Sequence, residues 1–443
     1  MSLPDQFFYH FFPVGQGLFA AGLMHRTGEE RPRFLWVYDC GTSSGKHLIE
    51  RSISNLGECI KNRKRIDLLV LSHFDHDHIS GVCSLLQEFK VGTLMLPYMS
   101  LAQRLIVAFE EDSGEPDDQL TEFYLNPVAY LLSNKNEGIE RILFVSPSDN
   151  DGPDDNDGPR HRNDPQESRS DNGAEIDFES DRPNDEDKIG LMSQLSSPEN
   201  KTSVEFLKQG SSIIVRSHSW EFIPYNDDPK KLIPDDFEHK VNVERANLLS
   251  ANDRGARKEA LKNLKQAYDQ HFGSGSEERN LISLFLYSGP IYSSWKDYSL
   301  VCDCSGTLRS PLWWSYVRSV KWLYCNFIAP RDDKMRSRCS ILYSGDGYLD
   351  SKDRLQKLFQ YMGGRRMQKT GVFQVMHHGA ETNWHKGVAA AIAPLFSVFS
   401  SDPFRRNLKH PHAAVLQDFW PYGAVRVDKE VGFSVHGFLY SRY

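Results

Sequence analysis

"LSHFDHDHISG", residues 71–81, places His73, Asp75, His76, Asp77 and His78 within six positions, directly behind the apolar run "IDLLVL" at residues 66–71. A short, near-continuous aliphatic run reads as a strand buried on both faces, as in a sheet held between helix layers. Behind the cluster, "HISGVCSLLQEF" carries Ile79, Val82, Leu85, Leu86 and Phe89 at helical spacing. The ionisable cluster therefore sits on a strand-to-helix loop, and the expected class is α/β. Three imidazoles and two carboxylates crowded together would cost folding free energy through desolvation and repulsion, unless a cation compensated them. Along an extended loop His73 and Asp75 point to one side, whereas Asp77 and His78 begin the next turn and face a neighbouring point. Two metal ions side by side are the expected outcome.

The chain has 443 residues, with 39% hydrophobic and 12% aromatic residues, enough for a sizeable core and more than one compact unit needs. The net charge of −8 is unevenly spread: residues 149–188 hold 15 acidic against five basic residues, and the remainder holds 47 basic and 45 acidic. The acidic balance belongs to one segment, so an anionic substrate is not excluded. Seven scattered cysteines lack a disulfide framework, as reduced thiols allow. Cys302, Cys304, Cys325 and Cys339 invite a structural zinc reading, but C-x-C spacing does not form a knuckle. No secretory signal and no run of 18 apolar residues is present; a soluble cytoplasmic protein is expected, with no membrane partner and no indication of oligomeric state.

Along the chain, "QFFYHFFPVGQGLFAAGLMHR" and "RFLWVYDCG" read as strands around a Gly-rich turn, "VGTLMLPY" as a further strand, and residues 101–111 and 117–133 as helices. Residues 146–202 are nearly free of large apolar side chains and read as a disordered acidic insertion, a candidate partner-binding arm. "SSIIVRSHSWEFIPY" resumes as a strand. A helical insertion follows near 226–279, carrying Arg254, Arg257, Lys258, Lys262 and Lys265 on one face; a solvated face is the plain reading and a nucleic-acid footprint the sharper one. "NLISLFLYSG", "SILYSGD", "GVFQVMHHGA", "PLFSVFSS" and "GAVRVDKEVGFSV" complete the strands. The expected organisation is an N-terminal half, 1–145, the insertion, 146–202, and a C-terminal half, 203–443.

His73-x-Asp75-x-Asp77-His78 after an apolar strand resembles the H-x-[HDE]-x-D-H signature of the metallo-β-lactamase fold, and "SHFDHDHISG" is similar to the hydrolase domain of the ComEC competence (DNA-uptake) family. "VGQG" at 14–17, "YDCG" at 38–41, "YSGD" at 343–346, "MHHGA" at 376–380 and "NLKHPH" at 407–412 follow in that family's order. The resemblance implies a four-layer αββα sandwich with a dinuclear site in its cleft. It implies that His73 and Asp75 bind one metal, Asp77 and His78 the other, and Asp346 bridges both. It further implies that His410 completes the second centre, that His378, with His377 as the alternative, completes the first or meets the scissile group, and that Asp39 orients a ligand histidine. His76 is expected at the surface; His412 and His218 are weaker candidates. The chain departs from the family at Leu18, where an Asp is usual, at Ala380, where a Ser is usual, and in lacking the membrane channel.

Two divalent ions about 3.5–4 Å apart share a water, lower its pKa and stabilise charge on the attacked group. The Asp75 carboxylate hardens the first centre, so Mn²⁺ suits it as well as Zn²⁺. Asp77 and His378 or His377 are the expected catalytic residues, and Arg405, Arg406 and Lys409 are placed to meet phosphate. The expected activity is a phosphodiesterase, a nuclease in particular. The alternatives are a hydrolase of a small phosphorylated metabolite, cyclic nucleotide or lactone, and a non-catalytic interaction protein on this scaffold. Stand-alone relatives suggest a role in defence against foreign nucleic acid.

Overall fold

The computed structural model describes residues 5–26, 32–61, 63–111, 124–133, 138–148, 152–153, 176–182, 186–193, 202–227, 235–249, 254–272, 283–291, 295–303, 338–404 and 410–441. Within them the chain forms an αββα sandwich. The first sheet contains β1 (Asp5–Phe11), β2 (Phe19–Arg26), β3 (Phe34–Cys40), β4 (Arg65–Val70), β5 (Lys90–Pro97), β6 (Ile139–Val145), β8 (Ser180–Asp181), β9 (Ser203–Leu207), β13 (Trp295–Asp303) and β18 (Phe433–Ser441), in the order β13-β18-β1-β2-β3-β4-β5-β6-β9-β8. The second contains β7 (Ile176–Asp177), β10 (Ile213–Val215), β11 (Trp220–Asn226), β12 (Leu284–Pro290), β14 (Ser340–Tyr343), β15 (Thr370–Gln374), β16 (Phe396–Ser400) and β17 (Ala424–Val427), in the order β17-β16-β15-β14-β12-β11-β10-β7.

Strand alternation builds the layers. In β3, Phe34, Trp36 and Tyr38 point between the sheets, where they meet Trp220, Phe222, Leu286 and Tyr343, while Leu35 and Val37 point outward. The outward face is covered by α1 (Lys46–Cys59) through Ile49, Ile53 and Leu56, and by α3 (Val82–Glu88) through Val82, Leu85 and Leu86. On the second sheet the outer face, with Ile223, Tyr287, Leu342 and Phe373, is covered by α9 (Lys352–Met362), α11 (Val388–Ile392) and α12 (Ala413–Phe419). A satellite core of Leu105, Phe237, Val241, Leu264 and Tyr268 joins α4 (Leu101–Glu111) to α7 (Asp235–Leu249) and α8 (Arg254–Phe272), the helices expected near 226–279.

Some expectations shift. "SSIIVRSHSWEFIPY" is a hairpin, not one strand: Arg216–His218 form a 3₁₀ turn and Ser219 adopts φ 46°. "GAVRVDKEVGFSV" divides between β17 and β18, which lie in different sheets. The acidic stretch 146–202 is not irregular throughout. β7 pairs with β10, β8 pairs with β9, and α6 (Glu186–Ser193) packs on β9 and buries Leu191 in the core over the outer face of the first sheet. Ile176, Phe178 and Leu191 supply the apolar area that the surrounding polar text hides. Residues 154–175 lie outside the described residues, as do 117–123 of the helix expected over 117–133; its end is α5 (Pro127–Ser133).

Candidate metal centre

Strands β3 to β6 run parallel, as do β14 to β17, and the carboxyl ends of both sets meet at one edge of the sandwich, where open α/β sheets place their ligands. The two sheets are tied there. Leu284 N–H donates to Ser72 O (2.8 Å), Tyr38 Oη–H donates to Leu284 O (2.6 Å) and Ser400 Oγ–H donates to Gly17 O (2.7 Å). The "VGQG" and "YDCG" motifs support the Asp77–His78 turn from beneath. A Cβ on Gly41 would lie 2.4 Å from the His78 carbonyl carbon, and one on Gly17 would lie 2.7 Å from Asp77 O. Leu18 donates its N–H to Asp77 O at 3.1 Å while its side chain fills the inter-sheet core, which is the local reason an apolar residue stands there.

Asp346, 1% exposed, occupies the middle of the cluster. Its Oδ1 lies 3.1 Å from His78 Nε2 and 3.7 Å from His378 Nε2; its Oδ2 lies 3.7 Å from His73 Nε2 and 3.6 Å from His377 Nε2. Asp75 Oδ2 joins His73 Nε2 at 3.6 Å, and Asp77 Oδ2 joins His378 Nε2 at 3.2 Å. Among the described residues, two sets have donor atoms all within 4.8 Å of one another: His73, His78 and Asp346, and Asp77, His78 and His378. His378 shares its set with Asp77 and His78, while His377 Nε2 approaches the same Asp346 oxygen, Oδ2, as His73 Nε2 does.

The hydrogen bonds made by the far ring nitrogens fix which nitrogen faces the centre. His78 Nδ1–H donates to Asp39 Oδ2 (2.8 Å), an acceptor only. Ser72 Oγ gives its one proton to Asp39 Oδ2 (2.6 Å), so it accepts from His73 Nδ1–H (2.8 Å). His377 Nδ1–H donates to Asn383 Oδ1 (2.7 Å) and His378 Nδ1–H to Ser400 O (2.5 Å). Each neutral ring therefore presents its Nε2 lone pair inward, towards carboxylate oxygens that are also acceptors. The Nε2 atoms of His73, His78 and His378 are buried, and among the described residues their approaches to the carboxylates are the contacts they make. Lone pairs facing lone pairs in a buried site are stable only with cationic charge between them, either protons or metal ions. Burial pushes His78 and His378 towards the neutral form, yet Asp346 with Asp39 or Asp77 outweighs it and raises both pKa values; burial likewise disfavours ionised Asp77 and Asp346, and the histidines outweigh it and lower theirs. The donor set, mixed nitrogen and oxygen with Asp346 shared, fits divalent ions such as Zn²⁺ or Mn²⁺.

Asp39 is fully buried and accepts from Ser72 N–H (2.6 Å) as well as from Ser72 Oγ–H and His78. His410 is buried beside the cluster, with its ring 5.5 Å from that of His377 and 6.3 Å from that of His378; burial and the neighbouring histidines push its pKa down to about 3. His412 differs in orientation: Glu381 N–H donates to its Nδ1 (3.1 Å), so its neutral ring carries the proton on Nε2. His76 is exposed. His218 precedes Trp220, which pairs with Pro290, whereas the cluster lies at the Leu284 end of β12; it is remote from the centre. Arg405, Arg406, Lys409, Cys304 and Cys325 lie outside the described residues, as does the side chain of Cys302. Ser72, Gln374 and Asn383 are part of the site and carried no signal beyond adjacency to the motifs. Gln374 Oε1 accepts from Ser344 N–H (2.8 Å) and Gly345 N–H (2.7 Å), holding the turn that presents Asp346.

Remote structural likenesses accompany this geometry. The metallo-beta-lactamase fold protein YhfI from Bacillus subtilis is 8% identical, with 97% of this chain and 98% of that chain covered at a TM-score of 0.35. A long form RNase Z from yeast is 6% identical, with 96% of this chain and 41% of that chain covered at a TM-score of 0.32. No family model matches the chain, and no curated protein matches it. Among the described residues, no helix is long and apolar enough to cross a membrane. The sheet order and the converging side chains are independent of either likeness.

Proposed function

We propose that this chain is a metal-dependent hydrolase of the metallo-β-lactamase type, acting on phosphodiesters and on nucleic acid in particular. The observation that carries the reading is the convergence of four imidazole Nε2 atoms, those of His73, His78, His377 and His378, on the carboxylates of Asp75, Asp77 and Asp346. His73, Asp75 and His377 with Asp346 Oδ2 would hold one ion, and Asp77, His78 and His378 with Asp346 Oδ1 the other. Ions bound there would supply Lewis acidity, activating water near neutral pH and drawing charge from the attacked phosphoryl group. Asp39, Ser72 and Ser400 O keep three imidazoles oriented without carrying charge to the substrate. His412, with its proton on Nε2, offers a hydrogen-bond donor beside His410 for an oxygen of the substrate.

The test is nuclease assay of the purified chain with Mn²⁺ or Zn²⁺ on single- and double-stranded DNA and RNA, with Asp77→Ala as control. Expected is metal-dependent cleavage that Asp77→Ala lowers by at least about 100-fold, by analogy with the loss of other transition-state-stabilising groups. Intact nucleic acid under every metal condition, with turnover of a small ester, would move the substrate to a nucleotide, metabolite or lactone. That smaller-substrate reading is favoured by the near balance of charge outside residues 149–188.

A further inference from the structure

Adjacent residues on an extended strand point to opposite sides, so the sequence "MHHGA" suggests that one histidine of the pair faces the centre. The backbone removes that choice. His377 (φ 44°, ψ 50°) and His378 (φ 56°, ψ 15°) are both left-handed, and successive side chains in that conformation turn by much less than half a revolution. Both rings therefore reach Asp346, at 3.6 and 3.7 Å on different oxygens.

His378 is oriented by a backbone carbonyl. His377 is oriented by a side chain, Asn383, which is fully buried. Asn383 Nδ2–H donates to Asp346 O (2.7 Å), a contact only the amide nitrogen can make, so the oxygen is the atom that meets His377 Nδ1. Thr382 Oγ–H also donates to that oxygen (2.8 Å). One amide thus spans the Asp346 turn and the His377 turn. An Asp at 383 would lack the donor and face the Asp346 carbonyl with negative charge.

We propose that Asn383 is a positioning residue for His377, and that His377 binds a cation through Nε2 on the His73–Asp75 side of the centre, together with His378 rather than in its place. This rests on reading the cluster as a cation site. A neutral His377 with its proton on Nε2 would instead turn an Nδ1 lone pair on the Asn383 oxygen, which the 2.7 Å contact disfavours.

The test uses the full chain. Long-range ¹H–¹⁵N correlation of the imidazoles in metal-free protein, with His377 assigned by its loss in His377→Ala, should show a proton on Nδ1. Mn²⁺ titration should show one ion weakened about 10- to 100-fold in both His377→Ala and Asn383→Ala, the range seen when a ligand or its orienting partner is lost, with the other ion retained. Asn383→Ala should also lose the single His377 tautomer. A His377 whose Nδ1 carries no proton in the wild type, or a His377→Ala protein that takes up Mn²⁺ as the wild type does, would overturn the inference alone. A wild type that binds no Mn²⁺ would overturn the cation site and the inference with it. Should Asn383→Ala fail to fold, the wild-type spectrum and His377→Ala still decide.

Discussion

Asp39 shows how much of the centre is set by groups that never meet a substrate. It has no exposure, a left-handed backbone (φ 55°), and accepts from two Ser72 donors and His78 Nδ1–H. Asp39→Asn would set an amide N–H or a weaker acceptor against His78 and loosen the ring's tautomer. We expect a 10- to 100-fold loss of Zn²⁺ or Mn²⁺ affinity by competitive titration, with little change in fold by circular dichroism. His10 tests a different buried imidazole, far from the cluster in the chain. Burial pushes its pKa down to about 3, and its Nδ1 bonds Ser434 Oγ (2.6 Å). The unfolded chain then takes up a proton below about 6.5 that the folded chain refuses. The stability this group contributes is complete above that pH and is lost progressively as pH falls towards 3, by up to about 1.4 kcal/mol per pH unit. Urea denaturation between pH 7 and 4 should therefore show a shallower pH dependence in His10→Gln than in the wild type.

At the scale of elements, close approach of backbones decides where glycine is needed. Gly41 ends β3 against the His78 peptide, and a methyl group there would overlap backbone that cannot move without displacing the centre. Gly57 lies in α1, where a Cβ meets only Phe89 Cζ at 3.8 Å. Gly57→Ala should raise stability by about 0.5–1 kcal/mol, the usual helix preference for Ala over Gly. Gly41→Ala should lower it by at least about 1–3 kcal/mol, as overpacking does; thermal melts of the two variants make the comparison. The same contrast explains what was legible in the sequence. The strand behind His73, the helix after it and the order of the five motifs are written in apolar spacing and in residue types that chemistry restricts. The joint inward aim of His377 and His378 is not, because a left-handed turn at two non-glycine residues has no sequence mark and costs about 1–2 kcal/mol per residue that tertiary contacts must offset. Asn383, Gln374 and Ser72 act through ordinary amides and a hydroxyl, residue types that occur on any surface. The strands β7 and β8 are two residues each, too short for any periodicity.

The whole molecule places its candidate ligands on two separate sheets. His73, Asp75, Asp77 and His78 follow β4 of the first sheet, while Asp346, His377 and His378 follow β14 and β15 of the second. The sheets are tied at this edge by hydrogen bonds such as Leu284 to Ser72 and Ser400 to Gly17, and an ion held by both sets would add a cross-link there. The unfolded chain separates the two sets by more than 250 residues and cannot hold an ion in the same way. Binding to the folded state alone stabilises it by RT ln(1 + [L]/Kd), about 2.7 kcal/mol at 100 Kd. For a chain this long such a gain raises the melting temperature by several degrees, since about 1 kcal/mol corresponds to about 2–4 °C in domains of 150–250 residues and less in larger ones. Calorimetry with increasing Mn²⁺ should show a logarithmic rise in the wild type. The rise should be smaller in His78→Ala and in His378→Ala alike, one residue from each sheet. If the increment survives His378→Ala and is lost only in His78→Ala, the ion is held by the first sheet alone and the centre is not shared across the sandwich.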